Sequence, residues 1–331
     1  GIADFNAELR DKFGVDLIPF MEDWFSSREL PAYLIGKVEA VNVLDDDQLK
    51  TMVKLKVTNT EETEGVISVD FRLGGGPGGR FGGMGGAPET ISRLVLLEGG
   101  QTKNVSILLN GTPRGAVINT FSSKNIPSEI QLSLGEVEED KKAVPYEGEE
   151  VVDLPVRVAE DNEIIVDNED PYFRRSQAGQ ISLLQQLLID KDRQSGQYQG
   201  FSRWRPPRSW TLTTNSDFYG AYVRSAHYIR SGEGDQKVSW NIPIDENGYY
   251  DLYVYVYKNT WGRRRDNDGD YHYMIHHDDG TEEAIVELDS AEPGWNHLGA
   301  FYFSPDTAVV EMTNQSKGRM VVADAVKLIK Q

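Results

Sequence analysis

Trp204 and Trp210 flank a run of Arg203, Arg205, Pro206, Pro207 and Arg208, and Trp261 stands just before Gly262-Arg263-Arg264-Arg265. A flat indole beside guanidinium groups is a platform with charged edges. Such a platform suits the face of a sugar ring, whose hydroxyls or carboxylates the arginines can reach. On that chemistry Trp204, Trp261 and Tyr271 are the candidate stacking faces, and Arg205 and Arg263 the candidate pairing groups. The same adjacency has a second reading, in which the arginines cover the indole faces and pair with acidic parts of the chain. The two differ in whether the indole faces are free. Trp240, in the alternating run Val238-Ser239-Trp240-Asn241-Ile242, and Trp295, at the start of a strand, are both expected in a core.

Catalytic arrangements are sparse. The chain holds no H-E-x-x-H, no G-x-S-x-G and no P-loop. On a strand His272 and His276 share a face and could give two zinc ligands, with Asp270 the nearest third. A zinc site needs three or four, so a solvated strand edge is the preferred reading. Asp266-Asn267-Asp268-Gly269-Asp270 opens like a calcium loop. However, Tyr271 and His277 stand where the loop needs glycine and a bidentate glutamate, which leaves a hairpin turn. Gly74, Gly76 and Gly79 spell G-x-G-x-x-G, yet the glycine-rich sequence that follows cannot open the helix a dinucleotide requires. With 53 acidic residues, chance carboxylate pairs are abundant and carry no weight. No catalytic residue, metal or cofactor is expected.

The elements that must position these residues fall into three segments. Residues 1–32 read as helix, with Phe5, Leu9, Phe13, Leu17, Phe20 and Trp24 at three- and four-residue spacing, broken at Pro19 and ended by Pro31. This amphipathic stretch must pack on something, either the next domain or one upstream. Residues 33–158 read as strands: Met52–Val57, Val66–Phe71 and Ile91–Leu96 alternate and are separated by turn residues. Their spacing predicts an immunoglobulin-like sandwich. Within it, residues 74–88 hold nine glycines in fifteen positions and read as a long hairpin tip. Residues 136–170 carry fourteen acidic and three basic residues, the pattern of a solvated strand edge and linker, and place a boundary near residue 160. From 160 to 331 a single helix is expected at Gln180–Asp192. Six or more strands, including Tyr249–Tyr257 with Tyr at nearly every second position, then suggest a jelly-roll sandwich.

Composition narrows the function classes. The chain has 331 residues with 34 Lys+Arg against 53 Asp+Glu, a net charge of −19, which argues against nucleic acid and anionic membrane surfaces. No apolar run reaches the length of a membrane span. The absence of cysteine excludes disulfides, thiolate zinc sites and cysteine nucleophiles. The chain begins with Gly rather than Met and reads as part of a longer protein.

Two resemblances add to this. Glu163-Ile164-Ile165-Val166-Asp167-Asn168-Glu169-Asp170 with Phe173, the run Gly248-Tyr249-Tyr250-Asp251-Leu252-Tyr253-Val254, the string Gly294-Trp295-Asn296-His297-Leu298-Gly299 and Ala323-Asp324-Ala325-Val326 resemble the golvesin/xanthan-lyase-type C-terminal domain. That resemblance implies a carbohydrate-binding-like β-sandwich carried at the ends of secreted or cell-surface bacterial enzymes. Asp324, between small residues on the last strand, is expected to hydrogen-bond a neighbouring loop. Phe13-Gly14-Val15-Asp16-Leu17, Asp23-Trp24-Phe25 and Leu30-Pro31-Ala32-Tyr33 are similar to the end of a gluzincin aminopeptidase-like domain. That would make the parent a multidomain envelope protein with a peptidase-like module upstream.

The expected fold is therefore all-β: two antiparallel sandwiches, immunoglobulin-like then jelly-roll-like, behind a short N-terminal helical segment. The expected function is a non-catalytic spacer and carbohydrate-binding-like module of a periplasmic, cell-surface or secreted protein, with a polysaccharide or glycan and the upstream domain as partners. The alternative is a protein-interaction or packing module that supports the upstream peptidase-like domain.

Overall fold

The computed structural model describes residues 2–19, 21, 29–73, 90–134, 137–140, 142–176, 198–258, 269–305 and 308–331. The glycine-rich 74–88 segment, the expected helix at Gln180–Asp192, Trp261 and Arg263 lie outside the described residues.

Alternation along the chain sets the first half. Helix α1 (Ile2–Phe13) is followed by β1 (Tyr33–Ile35), β2 (Glu39–Asp45), β3 (Gln48–Asn59), β4 (Gly65–Leu73) and β5 (Thr90–Leu97). Then come β6 (Thr102–Leu109), β7 (Pro113–Asn119), β8 (Glu129–Ser133), β9 (Glu138–Glu139) and β10 (Gly148–Val151). On β3, Val53, Leu55 and Val57 are buried while Lys54 points to solvent. The β2–β3 turn places Asp46 and Asp47 at φ of 47° and 60°, the left-handed pair a two-residue hairpin demands. One sheet runs β10-β6-β3-β2-β9 with β1 also on β3, and a second runs β5-β4-β7-β8. Between them Tyr33, Ile67, Phe71, Ile107 and Ile118 form one core. Part of the acidic 136–170 stretch is paired here: Lys103 meets Glu149 at 2.8 Å and Arg93 meets Glu147.

The helix departs from its sequence pattern. It breaks at Gly14, where φ is +70° and the amide bonds Arg10 O at 3.1 Å, and helical backbone resumes at residues 17–19, so the break precedes Pro19. Its buried residue is Asn6, which accepts from Leu17 N (2.6 Å) and donates to Asp16 (2.9 Å). Ile2, Phe5 and Phe13 stay exposed, so the expected docking on the next domain is not what these residues do.

The second half contains β11 (Glu163–Val166), β12 (Phe173–Ser176), β13 (Gln199–Gly200), β14 (Thr211–Thr214), β15 (Ser225–Arg230) and β16 (Lys237–Asn241). It continues with β17 (Gly248–Val256), β18 (Asp270–His277), β19 (Gly280–Glu287), β20 (Gly294–Phe303), β21 (Val309–Thr313), β22 (Met320–Ala323) and β23 (Val326–Lys330). These make three sheets, β11-β23-β17-β20, β12-β16-β21-β18-β19 and β13-β14-β15-β22. Trp240, Tyr271, Tyr273 and Phe303 are sealed in the shared core. The sequence reads Val321–Ile329 as one strand. Instead the chain leaves β22 at Asp324-Ala325 and enters a different sheet as β23.

The two halves are joined by backbone bonds: Ile126 N to Tyr222 O (2.9 Å) and Arg224 N to Ile126 O (2.7 Å), with Thr60 Oγ1 and Tyr222 OH 2.9 Å apart. Among the described residues no helix is long and apolar enough to cross a membrane.

Candidate functional site

Strand β17 sorts its side chains by parity. Tyr250, Leu252, Val254 and Val256 face the core, whereas Tyr249, Asp251, Tyr253 and Tyr255 lie on the opposite face of the sheet. Register with β20 sets an aromatic partner beside each of the three tyrosines: Tyr302 opposite Tyr249, His297 opposite Tyr253, Trp295 opposite Tyr255. The ring centroids are 5.2, 4.9 and 5.2 Å apart. A bulge at Leu252/Tyr253 keeps the last two pairs in phase with the first. From Tyr249 to Tyr255 the row spans about 20 Å of strand.

Polar groups stand along this row. Lys327, opposite Tyr253 on β23, places its ammonium 5.3 Å from the Tyr253 ring and 4.9 Å from the Trp295 ring. It also bonds Glu163 at 2.9 Å. Burial pushes the Glu163 carboxyl up, but the Lys327 hydrogen bond and charge outweigh it and leave it below the usual range. His297 meets Asp251 at 3.1 Å, and Asn247 donates to Tyr302 OH at 3.1 Å.

The row ends at Tyr219, whose ring lies 5.1 Å from Trp295. Beside it is a cavity of about 170 Å³ lined by Tyr219, Gly220, Arg224 and Tyr255 from one half and by Leu34, Ile35 and Val156 to Val158 from the other and the segment between them. Tyr219 OH is sealed from solvent and has no partner, and the same holds for Arg224 Nε. Arg224 Nη1 donates to Ser216 O at 2.9 Å. Behind them Asp324 Oδ2 accepts from Tyr219 N at 3.1 Å, the loop contact expected for this residue. Its other oxygen is unpartnered, and burial, reinforced by Asp167, pushes the Asp324 carboxyl well above the usual range. Burial also pushes Tyr255 up to about 12.

Gly220 holds this corner. Its φ is +139°, and a Cβ there would sit 1.9 Å from Val223 O, a backbone atom. Gly220→Ala should therefore cost about 1–3 kcal/mol, read as a lower urea midpoint.

Of the residues singled out in the sequence, Trp204, Arg205 and Tyr271 are among the described residues, and burial separates Tyr271 from the other two. Tyr271 is 1% exposed, so it is not a stacking face. Its phase on β18 turns it inward. Trp210, grouped in the sequence with the exposed loop tryptophans, is also buried. Trp204 is 80% exposed, with the Arg319 guanidinium 5.2 Å over its ring. The arginine on it is thus neither of its chain neighbours. Arg205 is exposed and bonds Ser202 through its backbone. Trp295 is half-buried, flanked by Tyr219, Tyr255 and Lys327 rather than enclosed in the core. The sheet-face row was missed, although its signal, the tyrosine alternation on β17, is present in the sequence.

Elsewhere two histidines of β18 have local partners. His272 meets Glu283 at 2.9 Å, and His276 meets Thr281 at 2.9 Å. Among the described residues no group of three metal-ligating side chains converges. His227 is buried against Phe173, and burial with Arg175 nearby pushes its imidazole down to about 3. The unfolded chain then binds the extra proton below about pH 6.5, so stability falls with pH between about 6.5 and 3. Lowering pH from 7 to 5 should destabilise the protein by up to about 1.4 kcal/mol per unit below 6.5, and His227→Gln should flatten that limb in urea titrations.

Residues 199–330 match the golvesin C-terminal domain. The match takes in Tyr219, Arg224 and the whole aromatic row on β17 and β20. It begins after β11 and β12, yet these strands pair with β23 and β16 of the golvesin-type region and complete its sheets. No curated protein matches the chain. Among solved structures, a xanthan lyase from Paenibacillus is 18% identical, with 92% of this chain and 27% of that chain covered and a TM-score of 0.36. A cycloisomaltooligosaccharide glucanotransferase from Paenibacillus, complexed with cycloisomaltoheptaose, is 11% identical over 88% and 72% of the chains, TM-score 0.25. A β-glucuronidase from Bacteroides uniformis is 9% identical over 92% and 30%, TM-score 0.25. The chain spans about a quarter of the xanthan lyase.

Proposed function

We propose that the golvesin-type region is a carbohydrate-binding-like module of an extracellular or cell-surface bacterial protein, and that its ligand lies along the outer face of the β11-β23-β17-β20 sheet. The observation that carries this reading is the row of three aromatic pairs ending at a donor-lined cavity. Ring faces and C–H faces of sugars pack together, while Asp251, His297, Asn247 and Lys327 are placed to hydrogen-bond hydroxyls along the row. Trp204 with Arg205 is a second, separate platform, one side of which Arg319 occupies. The first half, 33–158, serves as a spacer, with the boundary near residue 160. Under this reading the chain binds and does not catalyse. Titration of tryptophan fluorescence with neutral and acidic bacterial polysaccharides tests it, because Trp295 lies in the row. A saturable change supports the module; no response across the panel rejects it.

A second reading has its own observation. Ile2, Phe5 and Phe13 are 61%, 57% and 71% exposed on α1, an apolar surface suited to packing against protein. It supports the chain as a packing module for an upstream peptidase-like domain.

A further inference from the structure

The Arg319 guanidinium lies 5.2 Å over the Trp204 ring, yet the residue remains 80% exposed, so one indole face is free. A guanidinium over an aromatic face keeps its N–H donors, which lie in its own plane, for a second partner. Among the described residues the Arg319 side chain has no such partner, neither an ion pair nor a hydrogen bond. The backbone brings three more arginines to this place. Arg230 N bonds Pro207 O at 2.8 Å, between Arg205 and Arg208 in the loop, and Ser231 N bonds Arg319 O at 3.2 Å. Gln236 Nε2 donates to Arg208 O at 3.0 Å and ties the end of that loop. Arg205, Arg208, Arg230 and Arg319 are all exposed, and none has a carboxylate partner among the described residues. In a chain of 53 acidic and 34 basic residues, four such guanidiniums beside one exposed indole stand out. Arg203, in the same loop, differs because it interacts with Asp217. Glu233 and Asp235 stand in the loop after β15, where Asn314 Nδ2 holds Asp235 at 2.8 Å. Neither forms an ion pair with these arginines.

We propose that this exposed patch binds the anionic unit of an acidic glycan. The sugar ring packs on the free face of Trp204, and its carboxylate or sulfate accepts from Arg319 and Arg230, with Arg205 and Arg208 at the rim. The proposal rests on the reading of the chain as a glycan binder and names the ligand class of its second platform. It places no part of that ligand on the sheet-face row. A guanidinium fork matches the paired oxygens of a carboxylate or sulfate, which offer only acceptors, whereas a hydroxyl brings a donor of its own. The arginines are unpaired in the free protein, so no ion pair has to break before the ligand binds. The acidic remainder of the chain is no obstacle, because at 0.15 M salt exposed charges beyond about 8 Å are largely screened.

Calorimetric titration of the full chain at about 0.15 M salt tests this, with three ligands: an oligouronate, the same oligosaccharide after carboxyl reduction, and a sulfated oligosaccharide. The expected result is binding of a charged form at least about 10-fold tighter than the neutral one, a difference of roughly 1.4 kcal/mol. A preference for either charged ligand supports the proposal and identifies the anion. The double variant Arg230→Gln with Arg319→Gln alters two exposed side chains, so the fold should persist while the preference disappears. Tyr253→Ala, on the sheet face, should leave the preference in place. Equal affinity for charged and neutral forms overturns the proposal and leaves the sheet-face reading intact. So does a preference that survives in the double variant but is lost in Tyr253→Ala, which would move the anion to Lys327. Absence of binding to any of the three by the unmodified protein overturns both.

Discussion

Trp240→Ala should lower the stability of the golvesin-type region by about 3–5 kcal/mol, the largest loss expected of any single substitution considered for this chain. Trp240 is 1% exposed on β16, between β12 and β21, with Phe173 packed 5.4 Å from its ring. Its Nε1 donates to the backbone oxygen of Asp324 at 3.2 Å. Alanine removes the indole contacts and the donor together, so a cavity and an unpaired carbonyl appear in the same place. The consequence should reach the corner at Tyr219, because Asp324 Oδ2 accepts from Tyr219 N. Urea unfolding followed by circular dichroism measures the loss. Trp240→Phe, which keeps most of the volume, should recover a good part of it. A Trp240→Ala protein within about 1 kcal/mol of the parent would show that this core is not closed around the indole.

Tyr253→Ala should weaken glycan binding about 30-fold, the roughly 2 kcal/mol of a central contact residue, with little change in the unfolding midpoint. Tyr253 is the middle of the row, between the Tyr249/Tyr302 pair and the Tyr255/Trp295 pair, and lies on the outer face of the sheet. Tyr271→Phe provides the control. It alters a tyrosine sealed in the core, so binding should be unchanged. Measured by the same fluorescence titration, unchanged affinity in Tyr253→Ala would remove the sheet face from consideration. A loss in Trp204→Ala instead would move the site to the loop that Arg319 covers.

The strands were legible because burial repeats every second residue. Val53, Leu55 and Val57 announce β3, and Trp240 was placed in the core from its neighbours alone. The site was less legible for a related reason. Period-two alternation says that Tyr249, Tyr253 and Tyr255 share a face, but not whether that face meets the core or solvent. The same ambiguity misled the choice of Tyr271, which is aromatic, near arginines in sequence, and on the inward phase of β18. Pairings between distant segments were not readable at all. Nothing local to Trp204 points to Arg319, and nothing local to Val321–Ile329 shows the change of sheet at Asp324. The helix pattern held over Ile2–Phe13 and again over residues 17–19, but the break falls at Gly14, where the backbone turns left-handed, and not at Pro19.

The position of β23 has a bearing on how the chain comes to be folded. Its residues 326–330 lie between β11 and β17, with Ile329 opposite Glu163 and Lys327 opposite Tyr253. A strand at the middle of a sheet, supplied from so far along the sequence, makes closure of that sheet a long-range event with a large loop entropy to overcome. Until β23 docks, a gap separates β11 from β17. The lysine that tops Tyr253 and Trp295 is absent over the same interval. The aromatic face acquires its finished form only once β23 has docked, so a chain lacking β23 loses the cover of that face together with the core residues Val326 and Leu328.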